Sequence, residues 1–233
     1  MKKTNKKLFF NVLLFMFVLI FSNSCKKDDT STSNTVTDID GNVYHTVTIM
    51  TPAGSQTWMV ENLRVTRLND GTTPIPIVTD NTWGGLTTPA LCWYNNDVNN
   101  KATYGALYNW YSAINNKLCP AGWHVPNDAE WTALTTSQGG GSLAGGKLKE
   151  SGTVHWDAPN TGADNSSGFT ALPAGSRYTN GSFYLKGQYG WYWCTTENSS
   201  SEAWHVYLQN STSAVVRKSG SKGIGFSIRC IKD

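Results

Sequence analysis

The chain has 233 residues, room for one domain of about 200 residues or two small ones. Its formal charge is +3, but without Lys2, Lys3, Lys6 and Lys7, which sit in a segment read below as removed, 15 Lys and Arg face 16 Asp and Glu, and such a near-neutral domain lacks the basic footprint of a nucleic-acid binder. Ten Trp, ten Tyr and 22 Gly point to a loop-rich domain held by large flat side chains rather than by long helices.

Residues 1–24 read as an export signal. Four lysines precede an apolar run from Leu8 to Phe21, interrupted by Asn11, and small residues follow in Ser22-Asn-Ser-Cys25. The run falls short of the ~20 apolar residues that a spanning helix needs. Ser22-Asn-Ser-Cys25 resembles a bacterial lipobox, with Ser22 where Leu is usual. The resemblance implies that Cys25 is lipidated, becomes the first mature residue and holds the protein to the membrane. The competing reading is a secretory signal with an incidental cysteine. Lys26-Lys-Asp-Asp29 resembles the sorting signal that sends lipoproteins of the Bacteroidetes type to the outer cell surface. The expected address is therefore the outer membrane, lipid-anchored and facing outward. Residues 25–37 form the lipidated cysteine and a Ser/Thr/Asn-rich tether, and residues 38–233 form the domain.

Asp40-Gly41 marks a turn between β-rich runs. Val43, His45, Val47 and Ile49 alternate with Tyr44, Thr46 and Thr48 as in a strand, and Gln56 to Val60 is its expected partner. Asn69-Asp-Gly71 is another turn, and Pro74 to Asp80 reads as an extended edge. Tyr104, Leu107, Tyr108, Tyr111 and Ile114 recur at three and four residues, which predicts an amphipathic helix. In Cys119-Pro-Ala-Gly-Trp-His-Val-Pro-Asn-Asp-Ala-Glu-Trp131, Trp123 to Val125 is short and extended and Pro126 ends it. Asn127 and Glu130 have the spacing of a capping box for a helix at about 128–137. Trp131 and Leu134 share its inward face, so Trp123 and Trp131 are expected to plug one core. Gly139-Gly-Gly141 closes this helix, and Leu143 to Glu150 adds a turn or two. From Gly168 the chain reads as short strands. Trp191 and Trp193 share one strand face, Tyr192 and Cys194 the other. Ile224, Phe226, Ile228 and Cys230 alternate with Gly225, Ser227 and Arg229, which puts Cys230 inward.

Chemistry is sparse. Cys92, Cys119, Cys194 and Cys230 are an even number in an exported domain, which argues for two disulfides in one of three pairings. A zinc site is the alternative, but no Cys-x-x-Cys spacing exists. Gly141-Ser-Leu-Ala-Gly-Gly-Lys147-Leu148 nearly spells a P-loop, yet it lacks the Ser or Thr for magnesium and follows a helix. No Gly-x-Ser-x-Gly elbow is present. His45, His124, His155 and His205 have no motif partner, and no carboxylate spacing points to a glycosidase pair. Asn95, Asn96 and Asp97 offer oxygen ligands of the kind calcium accepts, against the simpler reading of an Asn-rich turn without metal. Trp83, flanked by Asn81 and Gly84-Gly85, is the expected exposed ring for stacking on a sugar.

Five stretches together resemble one family: Asp38-Ile-Asp-Gly-Asn-Val-Tyr44, Gln56-Thr-Trp-Met-Val-Glu-Asn-Leu-Arg64, Tyr104-Gly-Ala-Leu-Tyr-Asn-Trp-Tyr111, Gly122-Trp-His-Val-Pro-Asn-Asp-Ala-Glu-Trp131 and Gly225-Phe-Ser-Ile-Arg-Cys230. They are similar, in order and over residues 38–232, to the Fibrobacter succinogenes major paralogous domain. The family is typical of lipoproteins and large secreted proteins and carries no established molecular activity. Pro126 to Trp131 and Gly225 to Arg229 also resemble stretches of formylglycine-generating enzymes. That implies an α+β, C-type-lectin-like fold, with two main helices packed on short antiparallel strands between long loops. The copper chemistry of those enzymes does not carry over, since Cys194 and Cys230 lie in separate strands. The resemblance implies a Cys92–Cys230 disulfide and leaves Cys119 with Cys194. The expectation is a surface-displayed, non-catalytic binding or adhesion module without a cofactor, glycan being the leading ligand class. A protein-interaction or structural module is the first alternative, and an enzyme with an unrecognised cleft the second.

Overall fold

The computed structural model describes residues 34–233. The leader, Cys25 and Lys26 to Asp29 lie outside the described residues. In chain order the elements are β1 (Thr35–Thr37), β2 (Val43–Thr51), β3 (Gly54–Met59), β4 (Leu91–Cys92), α1 (Asn100–Tyr104), β5 (Leu107–Tyr108), α2 (Trp110–Ala113), β6 (Trp123–His124), α3 (Asp128–Ser137), α4 (Ala144–Leu148), β7 (Ser176–Arg177), β8 (Phe183–Tyr184), β9 (Tyr189–Glu197), β10 (Glu202–Gln209), β11 (Val215–Ser221) and β12 (Ile231–Lys232). The longest helix, α3, has ten residues. The described chain is mostly β, and this overturns the expected α+β, C-type-lectin-like arrangement of two main helices on strands.

The helix expected over 104–114 shows why. Gly105 has φ of +73°, and a Cβ there would sit 2.7 Å from Asn62 Cβ and 2.8 Å from the Leu63 carbonyl oxygen. Only glycine takes that backbone at no cost, so α1 ends there. Leu107 and Tyr108 then pair with Cys92 and Leu91, and Tyr108 also bridges Phe226. Asn109 restarts a short helix, its side chain accepting from Ser112 N. Sheet pairing with distant residues prevailed over a local period of three and four.

Order begins before residue 38, since Thr35–Thr37 pairs with β2. The Asp40-Gly41 turn is built by Asp38, whose Oδ1 accepts from the backbone of Asp40 and Asn42, and whose Oδ2 takes the Tyr44 hydroxyl at 2.6 Å. The main sheet has the order β1-β2-β3-β12-β6, and a second sheet has the order β11-β10-β9. Both pack large rings on each face. In β3, Trp58 points into one core with Trp131, Phe169 and Tyr192, while Met59 points into another with Trp123, Trp193 and Phe226. Trp123 and Trp131 therefore fill different cores, not one. β9 divides the same way, with Trp191 and Trp193 on one side and Tyr192 and Cys194 on the other, as the alternation predicted.

The helix over Asp128–Ser137 has the predicted capping box, with Asn127 Oδ1 accepting from Glu130 N and Glu130 Oε2 from Asn127 N. Its Trp131 ring lies 4.9 Å from Trp58 and 5.5 Å from Tyr192. After the glycines, α4 delivers Lys149, fully buried, whose ammonium donates to the carbonyls of Thr161, Gln209 and Thr212. That anchors two loops against the end of β10, and supplies the acceptors that a buried charge requires.

Candidate functional site

The site grows from the three-stranded sheet. β10 pairs with β9 so that His205 faces Trp193 and Tyr207 faces Trp191, and with β11 so that His205 faces Lys218. His205, Tyr207, Trp191 and Lys218 thus stand on one face. Phe226, in the extended run leading to β12, packs beneath them, 4.6 Å from Trp193 and 4.8 Å from His205. The β7–β8 hairpin closes one side and contributes Tyr178 and Leu185. Together these residues line a cavity of about 270 Å³. Three rings form a column along its wall. Phe226 and Trp191 are stacked at 11° and Trp191 and Tyr189 at 9°, and the column ends at half-buried Tyr189 beside Tyr207.

His205 is 5% exposed, and its Nδ1 has no hydrogen-bond partner. Burial, and then the charge of Lys218, push its pKa down to about 4, so it is neutral at pH 7. Lys218 sits exposed at the rim. The opposite face of the same sheet holds a cavity of about 250 Å³ lined by Trp131, Thr132 and Thr135, where Asp128 and Arg217 pair with each other.

The hairpin is held by Arg177, which is buried. Its guanidinium donates to the carbonyls of Val78, Asp80 and Gly181 and lies 4.7 Å over the Trp83 ring. Trp83, expected to be an exposed sugar contact, is 0% exposed. Its loop is pressed against the hairpin turn so closely that a Cβ on Gly84 would sit 1.7 Å from the Thr179 carbonyl oxygen. Small polar neighbours suggested a surface ring; the arginine that covers it comes from 94 residues further on. Trp83 supports the cavity wall instead of meeting a ligand.

The cysteines also pair differently. The disulfide joins Cys119 to Cys230, while Cys92 and Cys194 are free and buried. Cys92 lies under Trp83 and Leu107 in a third small core, and Cys194 faces the Trp131 core. Burial pushes the Cys92 thiol up to about 12, so it is protonated and unreactive. Both expected bridges, Cys92–Cys230 and Cys119–Cys194, are thereby corrected. Asn95, Asn96 and Asp97 form a tight turn. Asn95 and Asn96 have positive φ, Asn96 donates to the Thr79 carbonyl, and Asp97 accepts from Asn99 N. Among the described residues no group of three or more His, Cys, Asp or Glu is placed to hold a metal ion.

Three histidines that lack sequence partners have carboxylates in space. His45 meets Glu61, His155 meets Glu150, and His124 bridges Glu130 and Asp233 at 2.8 and 2.6 Å. His124 is thus a polar link between α3 and the end of β12. The cavity residues that the sequence reading missed, Tyr178, Tyr189, Tyr207 and Lys218 with His205 in a new role, come from three strands and a hairpin. The one available signal was the two-residue period in Trp204-His-Val-Tyr207, which puts His205 and Tyr207 on one face.

The five sequence stretches meet in space. Asn62 donates to the Tyr104 carbonyl and the Ser227 hydroxyl, and its Oδ1 accepts from Arg229 Nε. Arg229, wholly buried, also donates to the carbonyls of Phe169 and Thr170. The Tyr44 hydroxyl accepts from Arg64 N. Gln56 reaches the Glu130 carbonyl, and Lys232 pairs with Trp123. No curated protein and no solved structure matches the chain. The sequence model of the family described as the Fibrobacter succinogenes major domain matches residues 52–232, a span holding four of these stretches and the whole cavity. The chain belongs to the Fibrobacter succinogenes major domain family.

Proposed function

We propose that this protein is a surface-displayed, non-catalytic binding module whose ligand is a carbohydrate, with the aromatic cavity as the seat of a sugar ring. The carrying observation is the Phe226–Trp191–Tyr189 column, ending at a half-buried ring inside a cavity of about 270 Å³. That volume is below the range typical of drug-sized ligands and suits a small ring. Sugar rings present C–H faces that pack on aromatic faces, while tyrosine hydroxyls at the same wall offer hydrogen bonds; large rigid rings make such contact at low entropic cost. Surface display rests on the leader, with its basic start, short apolar run and Cys25 after small residues.

The test is titration calorimetry of the purified protein against a panel of polysaccharides, followed by Tyr207→Ala and Tyr178→Ala. Weakening of at least tenfold, with the melting temperature within a few degrees, supports the seat. A panel on which nothing binds overturns the reading. A surface protein that co-purifies in that case favours an interaction module, and release of new reducing ends from any glycan favours an enzyme. For the address, Cys25→Ala should abolish fatty-acid labelling and move the protein from membranes to the soluble fraction. Unchanged membrane retention and labelling would count against lipidation.

A further inference from the structure

We propose that the cavity between the three-stranded sheet and the β7–β8 hairpin prefers an anionic sugar ring, bearing a carboxylate or sulfate, over its neutral counterpart. This rests on the carbohydrate reading above and adds the charge of the ligand to it. Lys218 is the one fully charged side chain in the lining, and the lining holds no carboxylate. The neighbouring cations are engaged: Arg217 with Asp128, and Lys222 with Glu197 and the Ser200 carbonyl. Among the described residues Lys218 takes part in no ion pair.

The three strands carry two carboxylates, Glu197, which pairs with Lys222, and Glu202. Glu202 lies on the other face of β10, with Trp204 and Val206, and accepts from the Ser219 hydroxyl at 2.8 Å. It therefore does not compete for the Lys218 ammonium. Rings without a neighbouring cation make cages for quaternary ammonium ligands. Here Lys218 opposes that use and favours the opposite charge. His205 sits directly across from Lys218 in the strand register, 5% exposed and with Nδ1 unpartnered. A neutral imidazole adds a hydrogen-bonding group there without adding a second charge. A ring seated against Tyr189 and Tyr207 brings an acidic substituent toward the rim where Lys218 stands. Charge-assisted hydrogen bonds to an ammonium are short and stronger than neutral ones, but an exposed pair is worth at most about 1 kcal/mol. The expected preference is therefore at most about fivefold.

The experiment compares matched probes by calorimetry at low salt: a hexuronate oligosaccharide with its carboxyl-reduced form, and a sulfated oligosaccharide with its desulfated form. The expected result is up to about fivefold tighter binding of one or both charged forms, a gap that narrows at 0.5 M salt and closes in Lys218→Gln. Lys232→Gln, which removes the same charge at β12, should leave the gap intact. The two probe pairs separate carboxylate from sulfate. Equal affinity for charged and neutral members of both pairs overturns this proposal and leaves the carbohydrate reading standing. Binding of no member of either pair overturns both. A gap that persists in Lys218→Gln also overturns the proposal, because Lys218 is then not its source.

Discussion

Reduction of the Cys119–Cys230 disulfide gives the sharpest test of how the domain is tied together. The two residues are 111 apart in sequence. The chain-entropy relation for a closed loop of that length gives about 16 cal/mol/K, or about 5 kcal/mol at 25 °C. Domains have roughly 5–15 kcal/mol in total, so this one bond is a large share. The perturbation is Cys119→Ser with Cys230→Ser, compared with reduction of the native protein. The readout is urea unfolding followed by Trp fluorescence. For a domain of this size, with a urea slope of about 2–3 kcal/mol/M, the midpoint should fall by about 2 M. Thiol titration of the unreduced protein in denaturant should find Cys92 and Cys194 reactive and the other pair silent. A midpoint that does not move, or a mapped Cys92–Cys230 peptide, would refute the reasoning.

Trp83→Ala removes a fully buried ring from beneath Arg177, and should cost about 3–5 kcal/mol, read as a fall in melting temperature of roughly 10 °C. A melting temperature within 2 °C of the parent would mean that the ring is not packed. Gly105→Ala should destabilise by about 2–4 kcal/mol, since it combines positive φ with a 2.7 Å approach to Asn62, and denaturant unfolding measures it. His205, held neutral with a pKa of about 4 against an ordinary value of 6.5, makes stability fall on acidification. Above pH 6.5 the contribution is complete; below it the unfolded chain takes the proton first, and about 3 kcal/mol is lost by pH 4. The difference between the pH–stability curves of the parent and His205→Gln should show that slope, and parallel curves would contradict it.

Features determined by neighbours in sequence were legible. The Asn127–Glu130 capping box and the limits of α3 depend on residues three apart, and the two faces of β9 follow from a strand's period. Features decided at long range were not. Nothing near Trp83 announces that Arg177 will cover it. The period over 104–114 is genuine, but Gly105 meets the Asn62–Leu63 backbone and Tyr108 pairs with Phe226, so a strand stands where a helix was expected. Trp123 and Trp131 are eight residues apart, yet the main sheet runs between their cores. The cavity was the least legible feature, because its wall is assembled from β9, β10, β11, the hairpin and the Phe226 run, none carrying a motif of its own.

The place of β12 bears on how the protein is made. In the main sheet β12 lies between β3 and β6, and Ile231 pairs with Trp58 on one side and His124 on the other. Until residues 224–232 leave the ribosome, β3 and β6 have no common partner, Asn62 lacks its arginine and Cys119 lacks its sulfur. The N-terminal strands can form hairpins, but the sheet cannot close progressively behind the growing chain. Closure awaits contacts that span more than a hundred residues, which makes folding slow and late. Removal of residues 224–233 would leave two unpaired strand edges, on β3 and β6, a product expected to be cleared by proteolysis rather than to persist as a smaller domain.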